Sequence, residues 1–164
     1  MKRVKNTVRH DPENGSYGDC HRACVCTILG LEPDQVPHFY ADGDAADASI
    51  QQERVTAFLK IRGLVQGHVV WPGDVASLDD VLRTTGLMMP GVPLILGGTS
   101  SVGCGHSVVL LDGEIFNDPT GSGIVGPLRD GYYWVTFFSP DPDAASPAPD
   151  VDHEVAALTA GGAA

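Results

Sequence analysis

The sequence predicts an α+β fold, with helices in the first half of the chain and antiparallel strands in the second. A helix is indicated after Asp19, because apolar residues recur there every three or four positions until Gly30 supplies a stop signal. A hairpin is indicated at Asp112-Gly113, a strong turn signal between two apolar, β-prone runs. Residues 132–138 are rich in aromatic and β-branched side chains and predict one more strand.

Further elements are predicted between these segments. A second helix is expected between Gly43 and Gly63, and its predicted core residues are Ile50, Phe58, Leu59 and Ile61. The other expected elements are, in chain order, a turn-rich loop over 10–18, a single turn over 32–37, a strand over 64–71, a helix from Ser77 to Gly86 and a short strand over 93–96.

The composition predicts one globular domain with a tail. The chain has 164 residues, of which 43% are hydrophobic and 19% charged, as is typical of globular proteins with one core. We assign residues 1–138 to this domain. Residues 139–164 are rich in Pro, Ala and Asp, and we expect them to be disordered apart from a weak helix near 151–160.

Charge and hydropathy exclude several classes of partner. The net charge of −11 argues against binding nucleic acid, which requires a positive surface. No run approaches the roughly 18 apolar residues that a membrane span needs. The basic start of the chain has no apolar segment behind it that would make a signal peptide, so we expect a cytoplasmic protein. The sequence predicts no oligomeric state.

Cys20 is the best candidate for a nucleophile among the four cysteines. It opens the first predicted helix, where unpaired N–H groups and the helix dipole favour a thiolate over a thiol. Its backbone N–H is also placed to stabilise an oxyanion. Cys24 and Cys26 lie further into that helix, and without a secretion signal we expect all four thiols, Cys104 included, to be free.

His106, at the start of the hairpin, is the candidate general base. A two-residue turn places His106 opposite Pro119 and on the same face as Asn117, whereas a three-residue turn with a bulge places it opposite Asp118. Either side chain could accept the imidazole N–H and so orient the base, and the geometry of the hairpin leaves both open.

An oxyanion site also requires a side-chain donor near the nucleophile. The candidates upstream of Cys20 are Asn6, in an extended arm, and Asn14, in an Asn-Gly turn. We expect His21 to point to solvent, whereas His38 could line a cleft.

Three segments together resemble the papain-like cysteine peptidases, in particular the branch related to C39 peptidase domains and to small stand-alone phage and bacterial proteins. They are residues 19–24 (Asp-Cys-His-Arg-Ala-Cys), 105–109 (Gly-His-Ser-Val-Val) and 118–119 (Asp-Pro), supported by 29–31 (Leu-Gly-Leu) and 36–39 (Val-Pro-His-Phe). The resemblance covers roughly residues 5–138.

The resemblance implies a papain-like fold with the cysteine helix packed on a small antiparallel sheet. It implies Cys20 as nucleophile, His106 as general base and acid, and Asp118 as the orienting group, with Asn6 or Asn14 where the family carries a glutamine as oxyanion donor. The expected activity is cleavage of a peptide or isopeptide bond in a peptide or protein substrate, with no cofactor.

Three alternatives stay open from the sequence. An inactive member of the fold could bind proteins, for example as a phage factor that acts on host proteins. The same thioester chemistry could perform deamidation or acyl transfer, as transglutaminases do. A zinc site at Cys20, Cys24, Cys104 and His106 is a weaker alternative, because the spacing lacks the usual ligand pairs.

Overall fold

Residues 1–43 and 48–144, which the computed structural model describes, form three α-helices and five β-strands. The helices are α1 (Cys20–Leu29), α2 (Ala48–Lys60) and α3 (Leu78–Met88). The strands are β1 (Leu64–Pro72), β2 (Leu94–Thr99), β3 (Gly105–Leu111), β4 (Glu114–Asn117) and β5 (Tyr132–Pro140). Single 3₁₀ turns occupy Pro12–Asn14 and Pro33–Gln35. The predicted α+β class is therefore confirmed.

All five strands belong to one antiparallel sheet in the order β1-β5-β2-β3-β4. Successive residues of a strand face opposite sides of a sheet, and β2 shows this alternation directly. Ile95 packs with residues of α1 and α2, while Leu94 and Leu96 belong to the cluster that contains Val81 of α3. Helices therefore cover both faces of the sheet, and α1 packs against the strand that carries His106.

The first helix has the predicted extent. It runs from Cys20 to Leu29 and ends at Gly30, whose φ of 68° is a left-handed conformation that glycine adopts without strain. Its inward face includes Ala23, Cys24 and Thr27, all of them buried. The packing of this face fixes the direction of the helix and hence the position of Cys20 at its first turn.

The predicted core of α2 is half correct. Phe58 and Leu59 are buried as expected, and Val55 completes their helical stripe. Ile50 is 44% exposed and Ile61 is 84% exposed, so both were wrongly assigned to the core. The helix ends at Lys60, and Ile61 therefore falls in the following turn rather than on the buried face.

Helix α3 begins as predicted but does not end as predicted. The Ser77 hydroxyl accepts a hydrogen bond from the Asp80 amide at 3.2 Å and caps the helix. The helix continues two residues past Gly86, to Met88. A Cβ atom on Gly86 would lie 2.8 Å from the Cα atom of Gly113, so this glycine permits close packing of the helix on the hairpin turn rather than ending the helix.

The sheet extends slightly beyond the predicted domain boundary. Strand β5 runs to Pro140, which pairs with Leu64, and the Asp141 amide donates to the Gly63 carbonyl. Most of the predicted tail, 145–164 with its weak helix, lies outside the described residues. No helix in the described ranges is long and apolar enough to cross a membrane.

Candidate active site

Two cavities meet at Cys20. One has a volume of about 270 Å³ and the other about 440 Å³. Both have Cys20 and His106 in their walls, together with His10, Gly18 and Gly105. Cys20 and His106 thus line the same two cavities.

The buried carboxylate of Asp19 fixes the start of α1. It is 2% exposed and accepts hydrogen bonds from the amides of Thr7 and Val8, both at 2.9 Å, and from the side chain of Arg22. Burial opposes its ionisation, but the Val8, Thr7 and Arg22 contacts prevail and hold the pKa of Asp19 below its usual value. Asp19, the residue before Cys20, therefore holds the N-terminal arm against the start of α1. Its side chain does not cap the helix.

The thiol of Cys20 rests in its protonated form. Burial raises the pKa of Cys20 to about 11, even though the backbone N–H groups of Ser107 and His21 favour the thiolate. Removal from water thus outweighs these two backbone N–H groups, and the position at the helix start does not by itself hold Cys20 as a thiolate. A thiolate at Cys20 requires a base that accepts its proton.

His106 has its Nε2 atom engaged by two side chains. This atom lies 2.8 Å from Oδ1 of Asp118 and 3.2 Å from Oγ1 of Thr120. The imidazole side chain is 3% exposed. Because the carboxylate accepts a hydrogen bond from the Nε2–H group, a neutral ring carries its lone pair on Nδ1. No described residue forms a hydrogen bond with Nδ1. Nδ1 is therefore the nitrogen available to accept a proton in the cavity.

The loop after β4 holds Asp118 as an anion. Its carboxylate accepts backbone N–H bonds from Gly123 at 2.7 Å, Gly121 at 2.9 Å and Thr120 at 3.1 Å. Burial acts to raise its pKa, but the bonds from Gly123, His106 and Gly121 lower the pKa of Asp118 to about 2. The carboxylate is thus charged and immobilised next to the imidazole.

Asn117, the alternative orienting group, does not reach His106. The hairpin has the predicted two-residue turn, with Leu111 opposite Glu114, but a bulge then places Asn117 opposite Val109. The Asn117 amide is buried and donates to the Val4 carbonyl at 2.8 Å and to the Thr27 hydroxyl at 3.0 Å. Neither predicted register continues past this bulge, and the pairing of β3 with β4 ends at Val109, before it reaches His106. Asn117 has a structural role.

The two predicted oxyanion donors are separated by the structure. Asn6 lines the larger cavity with Cys20 and His106, and its amide also donates to the Val8 carbonyl at 3.1 Å. Asn14 lies in the 3₁₀ turn, where its exposed amide donates to Asp11 at 2.8 Å. Asn14 is absent from the walls of both cavities.

Sequence reasoning missed three residues at this site. Thr120 contacts the imidazole, and His10 lies in the walls of both cavities. His21 was expected to face solvent, which is wrong: its ring contacts Phe39 and Tyr40 edge to face, and its Nε2 atom is buried. Burial lowers the pKa of His21 to about 4, with a smaller contribution from His68. A helix start gives no sequence signal for this orientation.

The remaining cysteines differ from Cys20 in their surroundings. Cys24 and Cys26 lie on α1 and are buried in the hydrophobic core. Cys104 lines only the larger of the two cavities, and its thiol contacts the Ser100 hydroxyl at 3.3 Å. All four thiols are free. In the described ranges, no group of three or more His, Cys, Asp or Glu residues is arranged to hold a metal ion, so the zinc alternative finds no support there.

The chain matches no protein-family model, and neither a curated protein nor a solved structure matches it. The geometry of the site therefore carries the functional argument alone. It comprises a thiol at a helix start, an imidazole oriented by a carboxylate, and two cavities that both residues line.

Proposed function

We propose that the protein is a papain-like cysteine hydrolase that cleaves a peptide or isopeptide bond through a thioester on Cys20. The observation that carries this proposal is the 2.8 Å contact between His106 Nε2 and Asp118, in a cavity that Cys20 also lines. A carboxylate-oriented imidazole beside a thiol is the arrangement that nucleophilic acyl transfer requires.

In the first half of the reaction, Nδ1 of His106 takes the Cys20 proton as Sγ attacks the carbonyl carbon of the substrate. The Cys20 backbone N–H and the side-chain amide of Asn6 donate hydrogen bonds to the negatively charged carbonyl oxygen. Asn6 borders the same cavity as Cys20. The imidazolium, stabilised by Asp118, then protonates the leaving amine, the C–N bond breaks and the thioester remains.

In the second half, His106 removes a proton from water as the water oxygen attacks the thioester carbonyl. The C–S bond breaks, the carboxylic acid leaves and the thiol regains its proton from His106. Because the resting pKa of Cys20 is about 11, proton transfer accompanies the attack rather than preceding it. His106 is therefore needed even for the first step.

Cleavage of fluorogenic peptide amides from a mixed-sequence library tests this proposal. We expect turnover by the wild-type protein, none by Cys20→Ala and wild-type turnover by Cys104→Ala, which removes the other thiol of the larger cavity. Turnover that survives in Cys20→Ala would refute the assignment of the nucleophile. If the thioester passes to an amine rather than to water, product mass will reveal acyl transfer, and loss of ammonia from glutamine will reveal deamidation.

Two observations favour a second candidate, a protein-binding module without catalysis. The pKa of Cys20 is raised by burial, and no hydrogen bond joins this thiol to His106 among those of the described residues. A binding module would show no thioester with any acyl donor. The same library experiment, read by mass spectrometry of the protein, separates the two candidates.

A further inference from the structure

A third cavity adjoins the thiol site. Its volume is about 280 Å³, and it shares part of its wall with the 270 Å³ cavity that Cys20 lines. The shared residues are His21, Tyr40, Gln51, Gly97, Ser107 and Leu128. A chain bound at the thiol could thus place a neighbouring side chain in this third cavity, which we call the side pocket.

The shared wall contains a polar atom without a partner. The Nε2 atom of His21 is shielded from solvent and makes no hydrogen bond to any described residue. Its Nδ1 atom has only a long contact of 3.4 Å to the Ser107 hydroxyl. Buried polar atoms are nearly always hydrogen-bonded, and this shielded nitrogen in the shared wall is an exception.

The far end of the side pocket carries one negative charge. Asp130 is its only aspartate or glutamate, and neither lysine nor arginine lines it. Burial lowers the pKa of His21 to about 4 and also lowers the pKa of His68, so both imidazoles are neutral at pH 7. The pocket therefore presents a net negative charge in otherwise uncharged walls.

Trp134 holds this carboxylate in place and adds an aromatic surface. Its indole N–H donates to Oδ2 of Asp130 at 2.8 Å, and the Tyr132 amide donates to Oδ1 at 3.0 Å. Trp134 is 37% exposed, and its ring contacts His68 edge to face. An aromatic ring beside a carboxylate attracts cations, while Leu128 and Gly97 nearer the thiol suit an aliphatic stem.

We propose that the side pocket is a specificity subsite that binds the cationic side chain of a lysine or arginine in the peptide substrate, close to the scissile bond. The aliphatic stem passes Leu128, and the charged end reaches Asp130 and Trp134. This inference rests on the proposed function, because it assigns the pocket to a substrate residue. It adds a substrate class: peptides with a basic residue next to the cleavage site.

Peptide binding to the Cys20→Ala protein tests the inference without any turnover. The probes are acetylated pentapeptide amides, Ala-Ala-X-Ala-Ala, in which X is lysine, acetyl-lysine, norleucine or glutamate. Titrations are followed by NMR through the indole N–H signal of Trp134, with the signal of Trp71 as an internal reference outside the pocket. We expect the lysine peptide to bind at least tenfold more tightly than the acetyl-lysine and norleucine peptides, and the glutamate peptide to bind most weakly.

Two matched variants assign the preference to the side pocket. Asp130→Asn should reduce the affinity for the lysine peptide at least fivefold and leave norleucine binding unchanged. Glu114→Gln removes the same charge from β4 at the opposite edge of the sheet and should change neither affinity. Equal binding of lysine and acetyl-lysine peptides, equal losses in both variants, or no binding of any peptide would overturn the inference. Failure of the proposed function would appear separately, as absence of a thioester in the wild-type protein.

Discussion

The Nε2 atom of His106 lies 2.8 Å from Oδ1 of Asp118, which follows the second strand of the hairpin. A bulge in this hairpin directs the side chain of Asn117 into the core. Because of this bulge, Asn117 and Asp118 have different roles although they are neighbours in the chain. Asp118 orients the imidazole, and Asn117 fastens the N-terminal arm to α1 through Val4 and Thr27.

Asp118→Asn should preserve the fold and impair the chemistry. The amide oxygen of the asparagine takes the Oδ1 position, because it accepts there from Nε2 of His106 and from the Thr120 and Gly121 amides, but the negative charge that stabilises the imidazolium is lost. We expect the rate of Cys20 acylation to fall by roughly 10²–10⁴-fold. The measurement is stopped-flow acylation by a p-nitrophenyl ester, with circular dichroism as the check on folding. A rate within twofold of the wild type would show that Asp118 does not orient the base.

Asn117→Ala should do the opposite. Removing the buried amide leaves the Val4 carbonyl without its donor, at a cost of about 2–3 kcal/mol in the free energy of unfolding. Acylation of the folded protein should stay within twofold of the wild type, because Asn117 does not contact His106. Urea unfolding measures the first quantity and stopped-flow acylation the second. A stable variant with slow acylation would reverse the roles assigned to Asn117 and Asp118.

These two side chains also show what the sequence could and could not predict. The turn at Asp112-Gly113 and the start of α1 follow from local signals in the chain. The position of the bulge at Phe116 does not follow from such signals, because no Gly or Pro lies beside this residue. That position depends on packing against the N-terminal arm. Neither predicted register therefore holds past the bulge, although Asp118, which contacts His106, was among the candidates.

Local sequence patterns also did not predict the burial of Cys20 and His21. The helix start favours a thiolate at Cys20, yet the surrounding arm and strand exclude water and raise the pKa to about 11. The same enclosure turns His21 inward against Tyr40. Such effects arise from contacts between segments far apart in sequence, such as Cys20 with Ser107, which a single sequence does not reveal.

Substitutions at Asn6 should change activity in both directions. If its amide meets the oxyanion, Asn6→Ala should slow acylation by roughly 10–10³-fold. Asn6→Gln has a longer reach from the same backbone position and should raise the rate above that of the wild type. Asn14→Ala, in the exposed turn, serves as the control and should leave the rate unchanged. Equal rates for Asn6→Ala and the wild type would exclude this residue as the donor.

His21 should make the protein sensitive to acid. Its folded-state pKa of about 4 lies below the unfolded value near 6.5, so the unfolded chain binds the extra proton first and stability falls as the pH drops from 6.5 towards 4. Between pH 6.5 and pH 4.5, the lowest pH of the experiment, the loss attributable to His21 is about 2–3 kcal/mol at ~1.4 kcal/mol per pKa unit. The groups that face this ring include Tyr40, Cys20 and His68, of which His68 also titrates in this range.

Urea unfolding at pH 7.0, 5.5 and 4.5 measures this dependence. His21→Phe keeps an aromatic ring against Tyr40 and removes the titrating group, so its stability should vary less with pH than that of the wild type. The residual slope then reports His68 and the other titrating groups. Identical slopes for the two proteins would mean that His21 is not held in its neutral form by burial.

The most direct test of the central claim is acyl-enzyme trapping at pH 7. The wild-type protein and the variants Cys20→Ala, Cys104→Ala and His106→Ala are mixed with p-nitrophenyl acetate, quenched in acid and mapped by mass spectrometry. The proposed mechanism predicts one acetyl group on Cys20 in the wild type and in Cys104→Ala, and at least a hundredfold slower acetylation of Cys20 in His106→Ala. Acetylation of Cys104 as fast as that of Cys20, or of Cys20 at the same rate without His106, would contradict it.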